Sequence, residues 1–221
     1  MRIEAYLALS PVMPVVTIRD VSVAVDLARA LVRGGIPVIE IALRTPGALQ
    51  AIESIVRQVP EIAVGAGTIL YPADLQAAAA AGAAFAISPG STHALLDAAA
   101  KAAIPYLPGV ATASELMVGI AAGYRYFKFF PAASAGGRDM LKALSGPFPD
   151  VRFCPTGGIT SESAASYLGL PNVMCVGGSW LTPDELMAEK DWRRVETLAA
   201  RAASLRAGPD ASRVQQAAKL K

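Results

Sequence analysis

A single lysine, Lys128, stands in the middle of an aromatic, apolar stretch, residues 124–131, that follows Gly123. Short aromatic stretches bounded by glycine and proline are typical of buried strands, and a charged ammonium is costly to bury in one. Two interpretations are open. Lys128 reaches the strand end or pairs with a carboxylate, or else burial favours its neutral amine, which can attack a carbonyl group and form a Schiff base.

Glu40 is the acidic counterpart of Lys128, because it is a charged residue within the apolar stretch 38–43. The simplest interpretation is a buried, purely structural salt bridge between Glu40 and Lys128. A buried carboxylate beside a buried lysine is also what a Schiff-base enzyme needs to move protons. We favour this second interpretation because one chain has both a basic and an acidic residue in apolar predicted strands.

Further polar residues and glycines follow the predicted strands. Arg44 ends the second predicted strand, where its guanidinium could clamp a carboxylate or simply project into solvent as a rim arginine. Thr68 follows Gly65-Ala66-Gly67, where small residues either admit a ligand or make a plain turn. Gly157-Gly158 and Gly177-Gly178-Ser179 follow the last two predicted strands, and paired glycines there indicate a phosphate site built from backbone N–H groups.

The elements that must position these residues alternate between strands and helices. Eight strand-like stretches, each followed by a helical one, lie at residues 13–18, 38–44, 62–66, 85–88, 106–110, 124–131, 151–155 and 173–176. The loops are too short for further domains. The pattern predicts one α/β domain over residues 1–221, a (β/α)8 TIM barrel with a short N-terminal helix at about 3–9 and a polar tail after about 208. An open doubly wound sheet is the alternative, but no GxGxxG opens the first helix.

Composition excludes several other classes of function. Lys plus Arg total 20 against 18 Asp plus Glu, and a net charge of +2 does not indicate a nucleic-acid partner. No stretch predicts a membrane span or a secretory signal. Cys154 and Cys175 lack CxxC spacing, so we expect reduced, buried thiols in a cytoplasmic protein. His93 is the only histidine, which leaves too few ligands for a zinc or iron site. We therefore predict no metal and no cofactor.

Taken together, these stretches resemble the 2-keto-3-deoxy-6-phosphogluconate (KDPG) and 4-hydroxy-2-oxoglutarate aldolase family. The resemblance runs in one register from about Pro14 to Leu181. The motifs that carry it are VIEIALRT (38–45), GAGT (65–68), FAISPG (85–90), FKFFPA (127–132), RFCPTGGI (152–159) and GGSW (177–180).

The resemblance implies a class I aldolase on a (β/α)8 barrel, without a metal and usually a homotrimer. It implies that Lys128 forms the Schiff base and that Glu40 is the general acid/base. The implied substrate-binding residues are Arg44 and Thr68 at the pyruvyl carboxylate, Pro89, Phe130 and Thr156 along the site, and Gly157, Gly158, Gly178 and Ser179 at the phosphate. The chain departs from the family pattern at Ala42, at Ala111 and at residues 133–135, which concerns rim contacts and fine specificity.

The implied reaction is the reversible cleavage of KDPG to pyruvate and D-glyceraldehyde 3-phosphate, as in the Entner-Doudoroff pathway of carbohydrate metabolism. Cleavage of 4-hydroxy-2-oxoglutarate to pyruvate and glyoxylate is a second implied activity. The expected partners are these small molecules and further copies of the chain, with no nucleic acid and no membrane. A phosphosugar isomerase or epimerase, which needs no imine, and a non-catalytic phosphate-binding barrel remain alternatives, although the pair Glu40 and Lys128 argues against the latter.

Overall fold

The computed structural model describes residues 1–205 of the chain, so the tail predicted after about residue 208 lies outside the described residues. The strands, numbered in chain order, are β1 (Val12–Val16), β2 (Val38–Ala42), β3 (Ala63–Gly67), β4 (Phe85–Ile87), β5 (Tyr106–Leu107), β6 (Gly109–Val110), β7 (Tyr126–Phe129), β8 (Arg152–Pro155) and β9 (Val176–Gly178). The α-helices are α1 (Ile3–Leu7), α2 (Ala24–Arg33), α3 (Ala48–Gln58), α4 (Pro72–Ala80), α5 (His93–Ala99), α6 (Ala113–Ala121), α7 (Gly137–Ser145), α8 (Ser161–Leu168), α9 (Asp184–Ala188) and α10 (Trp192–Ala203).

The strands form two parallel sheets, and the predicted closed (β/α)8 barrel is therefore wrong. Six strands pair in the order β5-β4-β3-β2-β1-β9, and three pair in the order β6-β7-β8. Between the two sheets, isolated bridges pair Phe153 with Val173 and Thr156 with Gly177. The alternation of strands and helices does correspond to an α/β fold, but the strand ladder does not run unbroken through eight strands.

Pro108 explains one of the two breaks in the ladder. The sequence pattern predicts a single strand over residues 106–110, but proline has no N–H group to give to a sheet. The stretch accordingly divides on either side of Pro108 into β5, which pairs with β4, and β6, which pairs with β7. At the second break, the last strand is predicted at 173–176, whereas β9 covers Val176–Gly178 and pairs with β1.

The interior is built from apolar residues of the strands and from the inner faces of the helices. Phe85, Phe127, Phe129 and Phe153 are fully buried, and each such side chain contributes about 1.5–3 kcal/mol by leaving water. Helix α2 buries Leu27 and packs closely on α10 and α3. This packing holds the parallel strands with their carboxyl ends on one side, where polar residues can converge.

Within residues 1–205, no helix combines the length and the apolar character that crossing a bilayer requires.

Candidate active site

Lys128 and Glu40 form a buried ion pair although they belong to different sheets. Lys128 lies on β7 and Glu40 on β2. The Lys128 Nζ is 3.0 Å from the Glu40 Oε1, and the two side chains are only 3% and 2% exposed. Each charge offsets part of the desolvation cost of the other, and the hydrogen bond between them is short enough to carry a proton.

Gly67 makes room for the Glu40 carboxylate. It ends β3, the strand next to β2, and pairs with Ala42. A methyl group at Gly67 would overlap the Glu40 Oε1 and the carbon atoms behind it. The absence of a side chain at Gly67 therefore makes room for the Glu40 carboxylate. The sequence pattern predicts either room for a ligand or a plain turn at this position.

A cleft of about 290 Å³ opens above Lys128 at the carboxyl ends of the strands. Eight of the eleven residues predicted to be catalytic or to bind substrate line it: Lys128, Arg44, Phe130, Thr156, Gly157, Gly158, Gly178 and Ser179. The Phe130 ring lies with its centroid 5.4 Å from the Lys128 Nζ, a distance at which the ring face attracts an ammonium or iminium charge. The cleft is thus lined by an amine with its aromatic neighbour and by the paired glycines that follow β8 and β9, which we call its glycine end. The first of these glycines, Gly157, lies against the Phe130 ring.

Arg44 and Thr68 form one unit at the edge of this cleft. The Arg44 Nε donates a hydrogen bond of 3.1 Å to the Thr68 Oγ1. Thr68 has a φ of 60°, a left-handed conformation that is costly for a β-branched residue and is typical of functional sites. Because the Nε is engaged with Thr68, the terminal guanidinium nitrogens are the groups that a carboxylate would meet.

The glycines after β8 have conformations that other residues rarely adopt. Gly157 has a φ of 100° and Gly158 a φ of 73°. A Cβ at Gly158 would also lie 2.6 Å from the Ala133 Cβ. Consecutive glycines of this kind turn backbone N–H groups toward a common point, which suits an anion. Ser179, exposed just after β9, adds a hydroxyl to the lining of the same cleft.

Three predicted site residues reach this cleft indirectly or lie beside it. Glu40 lies behind Lys128, and Thr68 lies behind Arg44. Pro89 is not among the residues that line the cleft within the described part of the chain. It follows β4, where the buried Ser88 hydroxyl bonds to the Tyr106 hydroxyl and accepts a 3.1 Å hydrogen bond from the Gly109 N–H.

Sequence reasoning missed several residues at this cleft. Thr17 and Arg19 follow β1, and Asp184 begins α9; all three line the cleft. The signal for Thr17 and Arg19 was available, because both are polar residues at the end of a predicted strand. Asp184 gave no comparable signal, since an acidic residue at a helix start is ordinary.

The two cysteines are buried and free, and Cys175 interacts with Cys154 and, electrostatically, with Glu40. A hydrogen bond to the Cys154 thiol, together with burial, raises the pKa of Cys175 well above its usual range. A protonated buried thiol is a poor nucleophile, so Lys128 is the better candidate for attack on a carbonyl. Among residues 1–205, no group of three or more His, Cys, Asp or Glu side chains is arranged to hold a metal ion.

Comparison with known proteins assigns the chain to a family. Residues 3–198 match the KDPG and KHG aldolase family. The chain is 52% identical over 198 residues to a 2-dehydro-3-deoxy-phosphogluconate aldolase of Pseudoalteromonas atlantica, covering 90% of this chain and 92% of that protein. It is 49% identical over 196 residues to the KHG/KDPG aldolase of Escherichia coli K12, covering 89% and 92%.

A solved structure of a similar protein bears on the chemistry. KDPG aldolase from Legionella pneumophila superposes with a TM-score of 0.91 at 50% sequence identity, covering 92% of this chain and 99% of that one. In that crystal structure, pyruvate was captured at low pH as a covalent carbinolamine intermediate. The chain described here belongs to the KDPG and KHG aldolase family.

Proposed function

We propose that this protein is a class I aldolase that cleaves KDPG reversibly to pyruvate and D-glyceraldehyde 3-phosphate, with Lys128 as the Schiff-base residue. The observation that carries the proposal is the buried pair of Lys128 and Glu40, 3.0 Å apart, beneath a cleft that Lys128, Gly158 and Ser179 all line. Family membership and the carbinolamine of the Legionella relative support the same chemistry.

Formation of the imine needs the amine of Lys128 in its neutral form. Glu40 accepts a proton from the ammonium across the hydrogen bond that joins them, and the freed lone pair of the Lys128 Nζ attacks the C2 carbonyl carbon. Glu40, directly or through a water molecule, then returns this proton to the C2 oxygen and carries a second one there from the attacking nitrogen, which regains its lone pair as the oxygen becomes a leaving water. The C2–O bond breaks, water leaves, and the nitrogen lone pair forms the C=N⁺ bond of the iminium.

The iminium is the electron sink for carbon–carbon bond cleavage. A base removes the proton of the C4 hydroxyl, the C4–O electrons form the aldehyde carbonyl, and the C3–C4 electrons move into the C2–N system. The products are D-glyceraldehyde 3-phosphate and an enamine of pyruvate. Protonation at C3 regenerates the iminium, and addition of water releases pyruvate and Lys128. The Phe130 ring beside the nitrogen favours the cationic stage.

The polar groups that line the cleft suit the two charged ends of KDPG. Arg44, held by Thr68, is positioned to bind the pyruvyl carboxylate through its guanidinium fork. The N–H groups of the Gly157-Gly158 loop and the hydroxyl of Ser179 suit the phosphoryl oxygens. Thr156, which lines the cleft, is proposed to flank the carbon chain between the carboxylate and the phosphoryl group. A contact of Pro89 with the substrate stays a prediction from the family resemblance.

The Arg44→Lys variant should bind pyruvate about tenfold more weakly. An ammonium cannot reproduce a bidentate guanidinium–carboxylate contact and cannot keep the Nε bond to Thr68. The measurement is the pyruvate concentration that gives half-maximal borohydride trapping. Arg57→Lys, at an exposed position near the end of α3, is the matched control. An unchanged half-saturation in Arg44→Lys would refute the carboxylate assignment.

The Gly158→Val variant should raise KM for KDPG by at least tenfold, with a smaller change for 4-hydroxy-2-oxoglutarate. Valine is strained at a φ of 73° and its Cβ would meet the Ala133 Cβ, so the N–H groups can no longer approach an anion. Steady-state kinetics on both substrates measures the difference. Gly146→Val is the control, because Gly146 has a φ of −65° and a Cβ there would meet only the Ala143 carbonyl oxygen at 3.8 Å, an ordinary contact distance. Equal losses on both substrates in a folded Gly158→Val protein would mean that the loop is only a turn.

The function itself is tested by incubating the protein with KDPG and measuring both products. The proposal requires pyruvate and D-glyceraldehyde 3-phosphate in equal amounts, each quantified by a coupled dehydrogenase assay. A phosphosugar isomerase or epimerase would consume the substrate without releasing pyruvate. A non-catalytic phosphate-binding protein would leave KDPG unchanged.

The relatives named KHG/KDPG aldolase support a second activity, the cleavage of 4-hydroxy-2-oxoglutarate to pyruvate and glyoxylate. The same lysine would serve both substrates, because each presents a 2-keto acid to it. A homotrimer, a cytoplasmic location and a place in the Entner-Doudoroff pathway remain predictions from the family resemblance.

A further inference from the structure

Arg19 approaches the glycine end of the cleft from the loop that follows β1. Strand β1 pairs with β9 in a register that sets Pro14 opposite Gly178. The loop after β1 therefore emerges beside the loop that carries Ser179. Arg19 lines the same cleft as Gly158 and Ser179, and it has no role in the proposed reaction.

Arg19 faces one carboxylate, and the contact between them is loose. The Arg19 Nε lies 3.6 Å from the Asp184 Oδ2, and the two side chains are 75% and 66% exposed. This distance exceeds that of a good hydrogen bond, and exposed pairs of this kind contribute little to folding stability. The pair is better suited to exchanging partners than to holding the loops together.

Among the cations that line the cleft, Arg19 is the one available to an anion at the glycine end. Of the three lining cations, Lys128 is bonded to Glu40 and Arg44 to Thr68. Both serve the end where the carbonyl and carboxylate are proposed to bind. The sheet order β2-β1-β9 places the loop of Arg19 next to the Ser179 loop, with Arg44 one strand farther away.

A phosphoryl ester carries about −1.5 to −2 charges at pH 7, which N–H groups and a hydroxyl do not neutralise. Asp184 also lines this end of the cleft, and its carboxylate repels an anion unless a cation lies between them. An arginine that is loosely held and always charged can turn from a carboxylate to a phosphoryl group.

We propose that Arg19 determines specificity for the phosphorylated substrate by moving from Asp184 to the phosphoryl group when KDPG binds, and that Asp184 opposes this binding. The inference rests on the proposed aldolase function and adds two residues to it. It predicts opposite effects for the two partners of one ion pair, which no structural role of the pair would produce.

The test compares KDPG with 2-keto-3-deoxygluconate, which differs only by lacking the phosphoryl group. In Arg19→Gln, the ratio of kcat/KM for KDPG to that for the unphosphorylated compound should fall about three- to tenfold. In Asp184→Asn, the same ratio should rise about two- to threefold. The double variant should give a ratio between those of the two single variants, because it lacks both the attraction of Arg19 and the repulsion of Asp184, and raising the salt concentration should shrink the wild-type ratio.

Arg29→Gln and Asp26→Asn are matched controls, because Arg29 and Asp26 form an exposed pair at 3.4 Å that does not line the cleft. Neither control should change the ratio. The proposal would be overturned if the kcat/KM ratio fell in both Arg19→Gln and Asp184→Asn, or changed in neither. It would also be overturned if a lower melting temperature accounted for the fall in Arg19→Gln. If wild-type protein cleaves neither compound, the aldolase function fails; if it cleaves both and the ratios do not move, only the role of Arg19 fails.

Discussion

The Lys128→Met variant should show no measurable cleavage of KDPG. Methionine has nearly the length of the lysine chain but no amine, so the covalent electron sink is lost and the carbon–carbon bond has no route for its electrons. A loss of this kind appears in kcat and cannot be restored by more substrate. The measurement is pyruvate release over several hours at high enzyme concentration.

Two controls separate lost chemistry from lost folding. Removal of the ammonium leaves Glu40 buried without its partner, which can cost about 3–5 kcal/mol, so thermal unfolding must be followed on the same sample. Lys142→Met changes an exposed lysine of α7 in the same way and should keep full activity. Residual turnover of Lys128→Met within a hundredfold of wild type, in folded protein, would exclude a Schiff base at this position.

The Glu40→Gln variant should lose about two to four orders of magnitude in kcat with a smaller change in KM. Glutamine keeps the shape of the side chain and a hydrogen bond to Lys128, but it cannot accept the proton of the ammonium. Slow trapping of pyruvate should survive, because the amine is still present. Glu53→Gln, at an exposed position of α3, is the control and should not change turnover.

The competing interpretation of Glu40 is that it serves only as the counter-ion of Lys128. Loss of its charge would then leave an uncompensated buried ammonium and cost about 3–5 kcal/mol of stability. The result would be a large fall in the melting temperature with near-normal kcat for the folded fraction. Turnover and thermal unfolding measured together distinguish these two outcomes.

The sequence alone was informative where burial conflicts with charge. Lys128 and Glu40 stood out because each is a charged residue in an apolar strand, and the structure brings them within 3.0 Å across two sheets. The paired glycines stood out because their spacing follows strand ends, and they line the cleft. Such conflicts can be recognised from the sequence, because they depend only on the residue and its immediate neighbours along the chain.

The sequence was less informative where the answer depends on pairing between strands. The predicted closed barrel failed because a periodic pattern reports strands but not the continuity of their hydrogen-bonded ladder, and Pro108 divides one stretch into β5 and β6. The small residues around Gly67 predict either room for a ligand or a plain turn. In the structure, the Glu40 side chain of the adjacent strand β2 fills the space at Gly67. Arg19 and Asp184 meet only because β1 pairs with β9.

Borohydride trapping is the most direct test of Lys128 as the Schiff-base residue. The protein is incubated with pyruvate, reduced with sodium borohydride, digested and mapped by mass spectrometry, with a sample lacking pyruvate as the control. We expect one reduced adduct, on Lys128, and simultaneous loss of KDPG cleavage. An adduct on Lys101 or Lys142, or no adduct in protein that still cleaves KDPG, would contradict the mechanism.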